Sequence, residues 1–182
     1  MTDSFHVEGA GVVFLSRIFS VERRKVSSAT ESFERDVAVH PGAVAVLAIN
    51  ARGEIGVIHQ YRAAFDRVLL EIPAGTQDVA GESARDAAQR ELEEELGCRA
   101  AHWRLLGLFM NSPGWTNQVM TIFEARDLTE VDRRPVGPEE RRAHVSWLSP
   151  LALRSKLRSE AAIDSTTAVA LHRVFGTFFN DD

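Results

Sequence analysis

Runs of apolar residues along the chain alternate between two periods. Stretches at 11–19, 37–49, 55–61 and 68–72 are continuous or alternating in Val, Ile, Leu and Ala, the pattern of strands half or wholly buried in a sheet. Asn50-Ala51-Arg52-Gly53 separates two of them with the residues of a hairpin turn. From Glu82 to Leu96 the period lengthens. Ala84, Ala88, Leu92 and Leu96 recur every four residues, the apolar stripe of an amphipathic helix, and Gly97 follows as its cap. Further strands are predicted at 103–109, 118–125 and 143–148, with helices over 150–157 and 166–175. The segment 128–142 is charged, carries Pro135, Gly137 and Pro138, and reads as a loop. The fold class is therefore α/β (α+β).

Composition narrows the possibilities. A chain of 182 residues with 45% hydrophobic content suits one domain with a short extra subdomain. A formal net charge of −5 lacks the basic surface of a general nucleic-acid binder. The single cysteine, Cys98, excludes an intramolecular disulfide and points to a reducing cytoplasm. Met1-Thr2-Asp3-Ser4-Phe5-His6 lacks the basic and apolar regions of a signal peptide, and no apolar run is long enough to span a bilayer. A cytoplasmic protein with no membrane or nucleic-acid partner is expected.

The candidate chemistry lies on the helix. Glu91, Glu94 and Glu95 stand at i, i+3 and i+4, so they share a face and repel one another unless a cation joins them. Hard oxygen donors favour Mg2+, with Mn2+ also suitable. The competing reading of Glu93-Glu94-Glu95 is a solvated helix face. Six histidines show no H-x-x-H or H-E-x-x-H spacing, which leaves zinc catalysis unsupported, and no G-x-S-x-G elbow is present.

The string from Gly75 through Glu82, Arg90-Glu91-Leu92 and Glu94-Glu95 to Gly97-Cys98 resembles the Nudix box, G-x5-E-x7-R-E-U-x-E-E-x-G-U. Cys98 replaces the final aliphatic residue, and six residues, Thr76–Gly81, stand between Gly75 and Glu82 where the family has five. The resemblance implies a Nudix-type mixed β-sheet sandwiched between helices. It divides the chain into a small N-terminal antiparallel β subdomain, 1–40, and a hydrolase domain, 41–182. It also implies Glu91 and Glu95 as metal ligands with Glu94 supporting them, joined by the backbone carbonyl of Ala74. Arg90 either orients a glutamate or is a surface arginine, and Glu82 is taken as structural.

Outside the box, Phe33–Val37, His40–Val46, Gln60-Tyr61-Arg62, Leu70–Gly75 and Ser112-Pro113-Gly114 look like the ADP-ribose pyrophosphatase branch of the family. Pro113 is the feature that accompanies ADP-ribose hydrolysis there, so the implied reaction gives AMP and ribose 5-phosphate. Arg62 would neutralise a phosphate or pair with an acid. Glu71 would meet the terminal ribose or a partner subunit, or simply flank a turn. Trp115 would stack on adenine or pack in the core. Glu140, ahead of Glu139 and Glu94 among the catalytic candidates, resembles the loop glutamate that serves as general base in related enzymes, against the alternative of a solvated charge pair. Trp115-Thr116-Asn117-Gln118 departs from the acidic pair of actinobacterial relatives. Another nucleoside diphosphate sugar, of ADP-glucose or GDP-mannose type, is therefore the second substrate reading. A sensor of ADP-ribose fused to a DNA-reading module is the third, and the short end at Asn180-Asp181-Asp182 speaks against it. The apolar Val12-Val13-Phe14-Leu15 needs a cover, and the resemblance implies a homodimer that exchanges this region.

Overall fold

A computed structural model describes residues 4–176. Met1-Thr2-Asp3 and the Asn180-Asp181-Asp182 end lie outside the described residues.

The core is organised around one strand that is buried on both faces. Strand β4 (Ala43–Ala48) is buried at every position, as its unbroken apolar sequence requires. Because side chains alternate across a strand, Ala43, Ala45 and Leu47 join one apolar cluster and Val44, Val46 and Ala48 another. The first cluster contains Leu153 and Leu157 of helix α3 (Pro150–Arg158) and Ala170 and Leu171 of helix α4 (Ser165–Phe175). The second contains Ala87 and Ala88 of helix α1 (Ala84–Glu91), with Leu92 and Leu96 beyond it. The sheet is thus sandwiched between helices.

Strand β4 pairs in parallel with β9 (Val119–Glu130) and antiparallel with β7 (Ala74–Thr76), and β9 pairs antiparallel with β8 (Cys98–Met110). A second sheet runs β10-β5-β6, from His144–Leu148, Ile55–Arg62 and Arg67–Glu71. The turn at Asn50 is closed by its own side chain, whose Oδ1 accepts from Arg52 N and Glu54 N. A third sheet holds β1 (His6–Leu15), β2 (Ser20–Ser27) and β3 (Ser32–Val39). Strand β1 is exposed throughout, with Val12, Phe14 and Leu15 more than half exposed.

Several expectations need correction. The run 37–49 is two strands, β3 and β4, broken at His40-Pro41-Gly42, which carries the chain from one sheet to another. Strand β2 was not expected, because Glu22-Arg23-Arg24-Lys25 has no apolar alternation. Its register is set by pairing on both edges, with Arg23 joined to Asp36 across to β3 and Lys25 to Glu8 on β1. The expected loop at 128–142 begins inside β9, whose polar end pairs with β8, and it ends in a short helix, α2 (Pro138–Arg142). The 82–96 helix is not uniform either. Its last five residues, Leu92–Leu96, form a π turn, a widening frequent at functional sites.

Gly97 closes that turn with φ +66°, and its N–H donates to Glu93 O at 3.1 Å. A Cβ there would stand 2.8 Å from Val131 O. Both the left-handed backbone and the close approach exclude a side chain. Gly97→Ala is expected to lower stability by about 1–3 kcal/mol, read as a lower urea midpoint at unchanged m-value. An unshifted midpoint would show that the cap tolerates a side chain.

Candidate active site

One face of α1 and its π turn borders a cavity of about 640 Å3. Glu91, Glu94 and Glu95 line it from the helix, Ala74-Gly75-Thr76 from β7, and Gln60-Tyr61-Arg62 from the end of β5. Glu139 and Glu140 line it from α2, while Arg17 and Ile18 reach it from the β1–β2 turn.

Glu91 and Glu95 are 6% and 2% exposed, unusual for carboxylates and costly unless compensated. Glu95 Oε2 accepts from Ala74 N at 2.9 Å, tying the helix to β7. Glu91 lies against the loop so closely that a Cβ on Gly75 would sit 2.0 Å from its carboxyl carbon. Gly75 is therefore required by packing against the acid.

Arg90 supplies positive charge. Its Nε and Nη2 donate to Glu82 at 3.1 Å each, and its Nη1 to Glu91 Oε1 at 2.5 Å and more distantly to Glu94. Arg90 thus orients glutamates, and Glu82 is its partner. Neither end of this pairing reaches Glu95.

These environments leave the acids under-compensated. Burial pushes the Glu91 carboxyl up to about 7, against the lowering effect of Arg90. Burial likewise pushes Glu95 up to about 8, against the Ala74 N–H. Glu94 is raised by burial as well, and Glu140 adds negative potential at all three.

The expected convergence of Glu91, Glu94 and Glu95 on one small volume is not found in full. Among the described residues no three carboxylate, imidazole or thiol groups are arranged to hold an ion. Arg90 draws Glu91 and Glu94 toward itself, whereas Glu95 is held on Ala74. The donor set nonetheless fits a hard divalent cation. Two buried carboxylates beside a backbone strand, with charge deficient and oxygen donors in excess, are what such an ion neutralises.

Arg62 and Glu71 pair with each other. Arg62 Nε donates to Glu71 Oε1 at 3.0 Å and its Nη2 to Glu71 Oε2 at 2.5 Å; Arg62 also lines the cavity, whereas the buried Glu71 does not. Pro113 and Trp115 do not line the cavity within this chain. Trp115 is 60% exposed, so it is no part of the core. The segment after it latches the β3–β4 connection instead: Thr116 Oγ1 donates to Ala38 O at 2.8 Å, and Asn117 Oδ1 accepts from His40 N at 2.8 Å.

Glu140 caps its own helix. Its Oε2 accepts from Val136 N at 2.7 Å and Gly137 N at 3.2 Å. Arg17 and Gln60 are among the cavity residues that the sequence does not mark for a site role. Arg17 is a lone arginine in a turn, without any spacing that marks it. Gln60 is buried with Oε1 unpartnered, which only the tertiary structure reveals.

The chain matches the sequence profile of the NUDIX domain over residues 39–169. It is 37% identical over 141 residues to "ADP-ribose pyrophosphatase" of Mycobacterium tuberculosis (strain ATCC 25618 / H37Rv), covering 74% of this chain and 68% of that protein. It is 33% identical over 138 residues to "ADP-ribose pyrophosphatase" of Bacillus subtilis (strain 168), with 76% and 74% covered. A "Methanol dehydrogenase activator" of Bacillus methanolicus is 30% identical over 141 residues, with 78% and 76% covered. A solved structure, "Crystal structure of ADP compounds hydrolase", superposes with a TM-score of 0.79 at 23% identity, covering 94% and 92% of the two chains. That likeness bears on the fold.

A carboxyl raised on folding keeps its proton where the unfolded chain has released it. It therefore favours the folded state at low pH, and the advantage disappears as pH rises through the folded value. For Glu91 and Glu95 the window runs from 4.5 to about 7 and about 8. Chelator-treated protein is expected to lose stability across that window, and Glu95→Gln to flatten the loss. Added Mg2+ should restore stability mainly at the upper end, since its ligands must be deprotonated. Urea midpoints independent of pH and of Mg2+ would contradict this.

Proposed function

The chain belongs to the Nudix family, and on that footing we propose that it hydrolyses the diphosphate linkage of ADP-ribose to AMP and ribose 5-phosphate. The observation that carries this reading is the pair of buried, under-compensated carboxylates, Glu91 and Glu95, beside the Ala74-Gly75 strand of a cavity bordered by arginines. Two relatives bearing the name ADP-ribose pyrophosphatase support the substrate.

Members of the family use divalent metal ions, and Mg2+, with Mn2+ as substitute, is the ion proposed here. Glu91 and Glu95 would hold it, with Glu94 and the Ala74 carbonyl contributing. Such an ion neutralises phosphate oxygens and lowers the pKa of water.

The remaining work falls to the chain's own residues. Arg90 keeps Glu91 turned toward the Gly75 loop through its ion pair, and Glu82 fixes Arg90 from the other side. Arg62, itself oriented by Glu71, offers a guanidinium to a phosphate oxygen. Glu140, with Glu139 as neighbour, takes the proton of the attacking water. As the water oxygen bonds to phosphorus the bridging P–O bond breaks, and one phosphate leaves on each product.

The β1–β3 sheet is read as a dimerisation subdomain. Strand β1 offers Val12, Phe14 and Leu15, each more than half exposed, and a second copy would cover them. Through the same interface a partner's Pro113 and Trp115 could meet bound substrate. No helix among the described residues is long and apolar enough to cross a membrane, and the unpaired, buried Cys98 suits a reducing cytoplasm.

Incubation with Mg2+ and, separately, ADP-ribose, ADP-glucose, GDP-mannose, NADH and diadenosine polyphosphates should release AMP and ribose 5-phosphate fastest from ADP-ribose, as identified by chromatography. Glu140→Gln should lower kcat by about 100-fold or more with little change in KM; unchanged turnover removes Glu140 from the mechanism. Binding of ADP-ribose without AMP release would identify a sensor. Light scattering is expected to give the mass of two copies, and a monomer at working concentration would exclude the shared interface.

A further inference from the structure

Helix α2, which carries Glu139 and Glu140, touches β5 and leads through the buried Ala143 into β10, but it packs little surface of its own. It is five residues long and none of them is buried, far below the length at which a helix is stable alone. Several of its side-chain contacts are internal to its own loop. Glu140 caps Val136 and Gly137, and Arg141 Nη1 donates to Val136 O at 2.8 Å. Contacts of this kind shape the turn without fixing where it stands relative to α1.

Arg133 supplies the missing link. Its Nη2 donates to Glu140 O at 2.7 Å and its Nη1 to Ala143 O at 3.2 Å. The guanidinium thereby meets carbonyls at the carboxyl-terminal end of α2, where cations are favoured. Two residues upstream, Val131 N donates to Gly97 O at 2.8 Å, so the base of this arm is fastened to the cap of the π turn that carries Glu94 and Glu95. The chain from Gly97 through Val131 and Arg133 to Glu140 is a strut between the two acidic walls of the cavity.

We infer that Arg133 is a positioning residue for the reaction, setting the distance of Glu140 from Glu91 and Glu95 by clamping α2 to the end of the Nudix helix. The inference rests on the reading of Glu140 as general base. Displacing a catalytic group by about 1 Å is enough to cost on the order of 100-fold in rate, and that places the effect in kcat.

The test compares Arg133→Ala and Arg133→Lys in the wild-type and Glu140→Gln backgrounds, with Mg2+ and ADP-ribose. Arg133→Ala is expected to lower kcat by about 10-fold or more while KM stays within about twofold. Arg133→Lys, which keeps the charge and one donor, should recover part of the loss. In Glu140→Gln the same change should cost little further, because the group it positions is already inert. Hydrogen exchange should quicken at the Arg141–Ala143 amides in Arg133→Ala and Arg133→Lys. Unchanged kcat, an equal loss in both backgrounds, or unaltered exchange would overturn the inference. If Arg133→Ala does not fold, the lysine variant carries the same comparison. Should Glu140→Gln not slow the wild-type enzyme, the base assignment falls, and that is seen before Arg133 is altered.

Discussion

Burial of negative charge is the constraint from which the remaining architecture follows. Glu91 and Glu95 are almost wholly withdrawn from water, and carboxylates so placed stay ionised only where positive charge or donors compensate them. Arg90 compensates one side and the Ala74 N–H the other. What is left uncompensated is what the proposed cation would neutralise. The two-faced β4 strand makes the arrangement affordable, since the helices packed on both its sides hold α1 rigidly enough for the repulsion to be borne.

In the proposed reaction the scaffold separates the parts that would hold charge from the parts that would move it. Glu91 and Glu95 project from a helix seated on β4 through Ala87, Ala88 and Leu92, and Arg62 is fixed by a bidentate pair, Nε and Nη2, with Glu71. Glu139 and Glu140 sit on α2, which buries nothing. Rigid elements suit ligands and phosphate anchors, whereas a lightly held segment suits a group that must approach water once substrate is in place.

What could be read from the sequence was local. The spacing of Glu91, Glu94 and Glu95, the Ala88-Leu92-Leu96 stripe, the Gly97 cap and the Asn50–Gly53 turn all depend on residues a few positions apart. Strand β2 escaped notice because its Arg and Lys side chains are matched by acids on neighbouring strands, a partnership no periodicity records. The break at Pro41 was in plain sight, but the apolar residues on either side made it look like one strand. In the site, the acids were legible as a group, whereas their actual disposition was not. Arg90 pulls two of them and β7 the third, and that depends on where Gly75 lies in space. Arg133 left no trace, since it acts on backbone carbonyls that every residue possesses.

The π turn at Leu92–Leu96 also governs how the chain can vary in length. Residues 78–81, in the loop before α1, are exposed, and an additional residue there changes the path of a connection that borders the cavity at Asp78 and Val79 without turning the helix itself. Within the widened turn the same change has another result. Each residue gained or lost rotates all that follows by about 100°, carrying Leu96 out of the core and Glu95 off Ala74. Insertions and deletions should therefore accumulate before the helix and stop abruptly at it, making the turn a fixed ruler inside an otherwise elastic chain.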